Sequence, residues 1–273
     1  MWFYLNKMLS SIINAANYES ICDFSIIPPE GKVFTNDILT RGGNIFCKTD
    51  FIDYLFENIK ESKYQYNLIT HHSDYPIDEK RFLKKPKCIN KWYAINPTFR
   101  HTDLISIPLG LKTHSGCYFE PQYMTEWFCT QIDRLKAKSK QFSVYCNWSI
   151  TNVARNGLVE ILNQNNIPFK YESNLPFYSY VENMASCKFV LSPPGNGIDC
   201  HRTWEALYAG CIPIVIDDYI YDNWTSLPII KLKTFNDLTL DILNKFHKTN
   251  YIDNMLNIDY WKKLINKQYV NFR

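Results

Sequence analysis

From residue 141 onwards, short continuous apolar runs alternate with stretches whose apolar positions recur at helical spacing. FSVYCN (142–147), the run 167–171, KFVL (188–191), IPIVI (212–216) and 227–232 are short and bounded by polar or turn residues, and predict buried strands. Between them, Val153, Leu158, Ile161 and Leu162 predict a helix over 153–163, with further helices over 177–186, 199–209 and 238–247. Gly210 follows the 199–209 segment at the position where a left-handed residue ends a helix. Alternation of this kind predicts a parallel sheet with helices on both faces. It puts function in the loops after the carboxyl ends of the strands, near Asn147, Glu172, Ser192 and Asp217.

The first half is less regular. Strands are expected over 44–47, 66–70, 91–95 and 104–107, and helices over 1–16, 50–61 and 123–138. Phe51, Tyr54, Leu55 and Ile59 make one apolar face of the 50–61 helix. The fold class expected is therefore α/β, with two Rossmann-like domains: residues 1–138, and 139–273 with its last helix crossing back. A chain of 273 residues suits two modest domains of this type.

The strongest chemical signal is SPPGNGIDCHRTWEALYAGCIPIV, residues 192–215. A strand ends at Ser192, and two prolines stiffen the turn. Gly195 and Gly197 then flank Asn196, letting backbone approach a ligand closely. Asp199 is placed to cap the following helix. A glycine-bearing loop that runs into a helix N-terminus offers free N–H groups and a positive dipole end, which suits a diphosphate. Arg202 lies in the first turn, where a guanidinium reaches phosphate oxygens. Glu205, one turn on, suits vicinal ribose hydroxyls better than phosphate. The same residues also fit an ordinary strand–turn–helix in which Arg202 and Glu205 form a surface ion pair. A dinucleotide-type GxGxxG is excluded, because Cys200 stands where the third glycine belongs.

Arg202, Glu205, Ala206, Leu207, Gly210, Cys211, Ile212, Pro213 and Val215 follow the order R-x-x-E-A-L-x-x-G-C-I-P-x-V. In this the segment 187–215 resembles the signature of exostosin-like glycosyltransferases, with the likeness extending over 142–232 and only general over 1–140. The resemblance implies the GT-B arrangement of two domains facing a cleft, and an inverting transfer from a UDP-sugar to a hydroxyl of a glycan acceptor, without an obligatory metal. The family's donors include UDP-linked glucuronate, N-acetylglucosamine, galactose, xylose and arabinose. Carried over, Glu205 matches the acid at the donor ribose, and Arg202 with the loop Gly195, Asn196 and Gly197 matches the phosphate region. Asn147 and Arg155 resemble the polar residues after the domain's first strand. The usual N-terminal anchor and stem of this family are not seen. A compact, Asn-, Ile- and Lys-rich form resembles those of large DNA viruses and microbes, and a cytoplasmic location is expected.

An inverting transfer needs a base for the acceptor hydroxyl. The resemblance implies that it comes from the first domain, where THHSDYP (70–76) follows a strand. Asp74 is the first candidate and His72 the second; the alternative is a structural histidine pair with Asp74 as a turn residue. His101 and His114 are left out as lone histidines. Tyr171, Glu172, Phe177 and Tyr178 flank the loop where a nucleobase would sit. Asp217 and Asp218 are adjacent rather than one residue apart, so their side chains point to opposite faces and suit loop capping or acceptor contact rather than a shared metal.

Composition narrows the field further. The net charge of +3 gives no support to a nucleic-acid binder. Aromatic residues make up 16%, which serves either ring stacking or an aromatic-rich core. Nine cysteines are scattered without a CxxC pair, so neither a zinc site nor a redox motif is expected, and a reducing compartment is the simpler reading. No metal, no cofactor beyond the donor substrate and no membrane span are expected. A non-catalytic nucleotide-sugar or glycan-binding module on the same fold is the alternative, and it would bind UDP without turnover.

Overall fold

A computed structural model describes residues 7–27, 35–112, 122–246 and 253–270. The chain forms a mixed α/β structure with two five-stranded parallel sheets. The first contains β1 (Phe24–Ile26), β2 (Gly43–Lys48), β3 (Tyr66–His71), β4 (Ile89–Ala94) and β5 (Leu104–Ser106), in the order β1-β2-β3-β4-β5. The second contains β6 (Gln141–Cys146), β7 (Phe169–Tyr171), β8 (Cys187–Leu191), β9 (Ile212–Ile216) and β10 (Ile230–Leu232), in the order β10-β9-β8-β6-β7. Between β6 and β8 the winding reverses. A crevice opens at such a switch point, because the loops leaving the two strands run to opposite faces of the sheet.

The helices of six or more residues are α1 (Ala15–Ser20), α2 (Ile52–Ile59), α3 (Gln122–Ala137), α4 (Leu158–Gln164), α5 (Phe177–Ala185), α6 (His201–Tyr208), α7 (Leu240–Lys245) and α8 (Ile258–Val270), and a single helical turn, Glu79–Phe82, precedes β4. Alternating strand residues feed different cores, as expected for parallel strands buried on both faces. Ile45, Cys47, Leu68 and Trp92 pack with Leu55 and Ile59 of α2. Val144, Cys146, Phe189 and Ile214 pack with Leu158 and Leu162 of α4. The opposite faces of the two sheets share one cluster, which joins Phe46, Ile69 and Tyr93 to Tyr145, Val190 and Trp204. Trp261 and Ile265 of α8 belong to it too, and the amide of Asn44 in β2 donates to Asn266 Oδ1 at 3.0 Å. The chain's last described helix therefore packs on the first sheet.

Three expected elements differ in detail. The helix expected over 153–163 is split: 153–155 form a single 3-10 turn, Asn156 is extended, and Gly157 takes φ 71° before α4 begins at Leu158. The glycine's left-handed backbone is what divides the helix. The helix over 1–16 is not continuous within its described part. The chain turns at Ser10 and Ser11, and Ile12 makes an antiparallel bridge with Asn257. The helix over 199–209 starts later, at His201, with Cys200 as its N-cap residue and no side-chain cap. Asp199 is not the cap, since its carboxylate is drawn to the first half of the chain instead. No described helix is long and apolar enough to cross a membrane. The eight described cysteines are all free thiols.

Candidate functional site

The carboxyl ends of β3 and β8 face each other across a cleft of about 380 Å³. From the first half it is walled by His71, His72, Ser73, Asp74 and Asn96; from the second by Thr151, Arg155, Gly195, Asn196, Gly197 and His201. Six residues singled out in the sequence thus share one wall system: Asp74, His72, Arg155, Gly195, Asn196 and Gly197. The Asn196 amide donates to Asp74 Oδ2 at 2.9 Å, so the loop carrying the first base candidate touches the glycine loop directly.

Gly197 is required by close approach. A Cβ there would come within 2.3 Å of Asn96 Nδ2. Asn96 itself has φ 49° and accepts the Asp199 backbone N–H on Oδ1 at 3.0 Å. The Asn96-Pro97 dipeptide is a turn signal legible in sequence, but its partner lies 103 residues away. Asp199 completes the junction. Its Oδ2 accepts from Leu109 N at 2.9 Å and from Trp204 Nε1 at 2.8 Å, while Oδ1 is buried with no partner.

Burial pushes the Asp199 carboxyl up to about 7, against the lowering effect of the Leu109 N–H, the Trp204 indole N–H and the Cys200 backbone N–H. A carboxyl whose folded value lies above its unfolded one favours the native state most when protonated. Its contribution is fully present below the unfolded value of 3.8 and is lost as pH rises through about 7. Asp199→Asn, which cannot ionise, should therefore flatten the pH dependence of the melting temperature across that window. An unchanged slope would remove Asp199 from the pH response.

The histidines differ in what they offer. His71 is buried. Its Nδ1 accepts the His72 backbone N–H at 2.8 Å, so Nε2 carries the hydrogen donated to Leu109 O at 3.2 Å. Burial lowers its pKa well below the usual value. His72 sits in the left-handed region at φ 61°, and burial holds its pKa down at about 4, so it is neutral at pH 7. His201 donates Nδ1–H to Gly110 O at 2.7 Å when neutral, which leaves a lone pair on Nε2 at the cleft. Its role in joining the halves has no signal in the sequence.

Arg155 is buried and already committed. Nε donates to Pro194 O at 2.9 Å, and Nη1 donates to Ser149 O at 2.7 Å and Thr151 Oγ1 at 2.9 Å. Nη2 lies beneath Gly195, within 2.9 Å of where a Cβ would be. Asn152 adds a hydrogen bond to Gly195 O at 2.7 Å. Arg155 thus staples the loop after β6 to the glycine loop after β8.

Arg202 is the opposite case. Its Nε and Nη1 are buried, and no hydrogen bond or ion pair of its side chain is present among the described residues. Its charge lowers the pKa of Arg155 after burial has done so, and acts on Cys146 at the end of β6. Glu205 is not its partner. Glu205 Oε2 accepts from Tyr180 Oη of α5 at 2.7 Å, so the surface ion pair is not formed. Arg202 and Glu205 lie on the side of α6 towards β6 and α5, outside the cleft wall. Asn147, which follows β6, is also outside it, half-buried beside Trp148. Ser192 is internal: its Oγ is 2.9 Å from Thr203 Oγ1 and 3.2 Å from Cys200 Sγ, and it supports the loop from beneath.

The remaining candidates separate cleanly. Asp218 Oδ1 accepts from Ile220 N at 3.1 Å and caps a 3-10 turn, while Asp217 lies 3.7 Å from Lys231 Nζ. His101 Nδ1 accepts from Asp103 N at 3.0 Å, and its ring packs on Phe82. His114 lies outside the described residues. Glu172 accepts from Asn183 Nδ2 at 3.0 Å and pairs with Lys170 at 3.1 Å. Tyr171 and Tyr178 are exposed, against Trp148 and Trp127, and Phe177 packs on Trp127 and Phe128. No protein-family model and no curated protein sequence matches this chain.

Proposed function

We propose that this chain is an inverting, metal-independent glycosyltransferase of the GT-B arrangement, which transfers a sugar from a UDP-sugar to a glycan hydroxyl. The observation that carries the reading is the Arg202 guanidinium. Two of its nitrogens are buried without a partner, in the first turn of a helix and at the switch point of a parallel sheet. Leaving a charged donor unpaired is costly, and an anionic ligand removes that cost. A diphosphate there would meet the α6 N-terminus and the glycine loop, with Arg155 holding the loop in place. Glu205, held by Tyr180, suits the ribose hydroxyls.

In this reading the acceptor oxygen bonds to the anomeric carbon as the bond to the UDP oxygen breaks. UDP leaves with the electron pair, and its growing charge is met by Arg202. The acceptor proton passes to Asp74, whose Oδ1 is left clear of the Asn196 contact. His72, held neutral, is the second acceptor for it.

Thermal melting with UDP, GDP, ADP and NAD, each with and without magnesium, tests the donor assignment. UDP alone should stabilise the protein, by about 2.7 kcal/mol at roughly 100 times Kd, with no dependence on magnesium. Glu205→Ala should remove most of that shift. A response to another nucleotide would move the assignment, and UDP binding without hydrolysis or transfer of any UDP-sugar would favour a binding module.

A further inference from the structure

We propose that a second cavity, on the first half of the molecule alone, is the subsite for a saccharide unit of the acceptor; this inference rests on the glycosyltransferase reading. The cavity measures about 390 Å³ and is lined by Lys48, Asp50, His72, Ser73, Asp74 and Tyr75. His72, Ser73 and Asp74 also line the cleft, so the two cavities meet at this short strip. The far wall of the cleft is the glycine loop and Arg155. In an inverting displacement the attacking hydroxyl and the leaving phosphate lie on opposite sides of the anomeric carbon. With the phosphate at Arg202, behind the glycine loop, and the base on the strip that both cavities share, this reading puts the acceptor in the second cavity.

The lining chemistry fits a sugar. Lys48 and Asp50 stand at and just beyond the end of β2 and border one cavity, yet neither side chain has an ion-pair or hydrogen-bond partner among the described residues. A cation and a carboxylate held apart in this way match a diol, whose hydroxyls both accept and donate. Tyr75 adds the apolar face that a pyranose ring packs against. It is 54% exposed, and the Arg81 guanidinium sits over its ring at 5.4 Å while donating to Pro76 O at 2.8 Å. Its backbone N–H is tied to Ser73 Oγ at 3.2 Å, so an exposed aromatic residue is held in an ordered turn. A protein or nucleic-acid partner would need a broader surface than this cavity offers.

The test is saturation-transfer NMR with the methyl glycosides of glucose, galactose, xylose and N-acetylglucosamine, run on the wild type, Tyr75→Ala and Asp50→Asn. UDP melting shifts are measured on the same samples. At least one glycoside should bind the wild type, and bind each variant about tenfold more weakly, while the UDP shift is unchanged. Both substitutions are on exposed side chains, so folding should survive them. No glycoside binding by the wild type, or undiminished binding by both variants, would overturn the subsite. Glycoside binding lost in both variants, in a protein that ignores UDP, would keep the saccharide site and sink the transferase reading instead.

Discussion

Arg202→Met should make the unliganded protein more stable and remove most of its response to UDP. The two effects have one cause. Nε and Nη1 of Arg202 are buried with no acceptor, a burden of about 1–3 kcal/mol on the empty state. Methionine keeps most of the apolar stem and removes the unsatisfied donors, so the melting temperature should rise by roughly 2–5 °C. The same donors are what the phosphate would use. Losing a charged hydrogen-bonding group should weaken nucleotide binding by about 2–3 kcal/mol, or roughly thirty- to a hundred-and-fifty-fold. A residue kept for stability would behave in the reverse way. A lower melting temperature with an intact UDP shift would show that Arg202 serves the fold rather than a ligand.

The second large effect is on the junction between the halves. Gly110→Ala should cost about 3 kcal/mol or more, read as a lower denaturation midpoint. Gly110 has φ 70°, which itself disfavours a side chain by about 1–2 kcal/mol. Beyond that, an added Cβ would meet the Ile13 carbonyl oxygen at 2.2 Å and its carbon at 2.5 Å, and backbone cannot rotate away. Gly157→Ala is the matched control. Its φ is 71°, but nothing lies within 4 Å of the added carbon, so only the conformational cost of about 1–2 kcal/mol applies. Equal losses in the two variants would mean that the Ile13–Gly110 contact is not made. Because Gly110 O also accepts from His201, the cleft wall should be disturbed along with stability.

The chemistry of the junction explains why the two halves pack as one unit. Asp199, Asn96, Leu109, Gly110 and His201 form a chain of hydrogen bonds across it. Tyr208 extends the junction, accepting from Ile13 N at 2.7 Å and donating to the Leu256 carbonyl. These groups lie in or beside the cluster that both sheets share, where an unpaired polar group is expensive. The Asp74–Asn196 contact is different in kind: it is exposed, and stands at the mouth rather than in the core.

By itself the sequence determined nine of the ten described strands, within a residue or two for most of them, because strands buried on both faces must be short and apolar; it gave no sign of β1, a three-residue edge strand whose Phe24 and Ser25 are only half-buried. It also determined the glycine loop after β8 and the α6 helix carrying Arg202 and Glu205, since Gly, Pro and a glycine stop after a helix act locally through backbone conformation. What it missed locally was the break at Gly157, where the apolar spacing runs on past a left-handed residue. The tertiary structure alone decided which polar side chains are used up and which are left over. Arg155 and Arg202 look alike along the chain, yet one has its donors filled by Pro194, Ser149 and Thr151 while the other is buried with none. Asp199 reads as a helix cap and turns instead to Leu109 and Trp204. Asp74 reads as the first base candidate, or else as a turn residue, and it meets Asn196, 122 positions away. A hydrogen bond depends on distance and burial, and both are set by how the two sheets pack together, which no local pattern records.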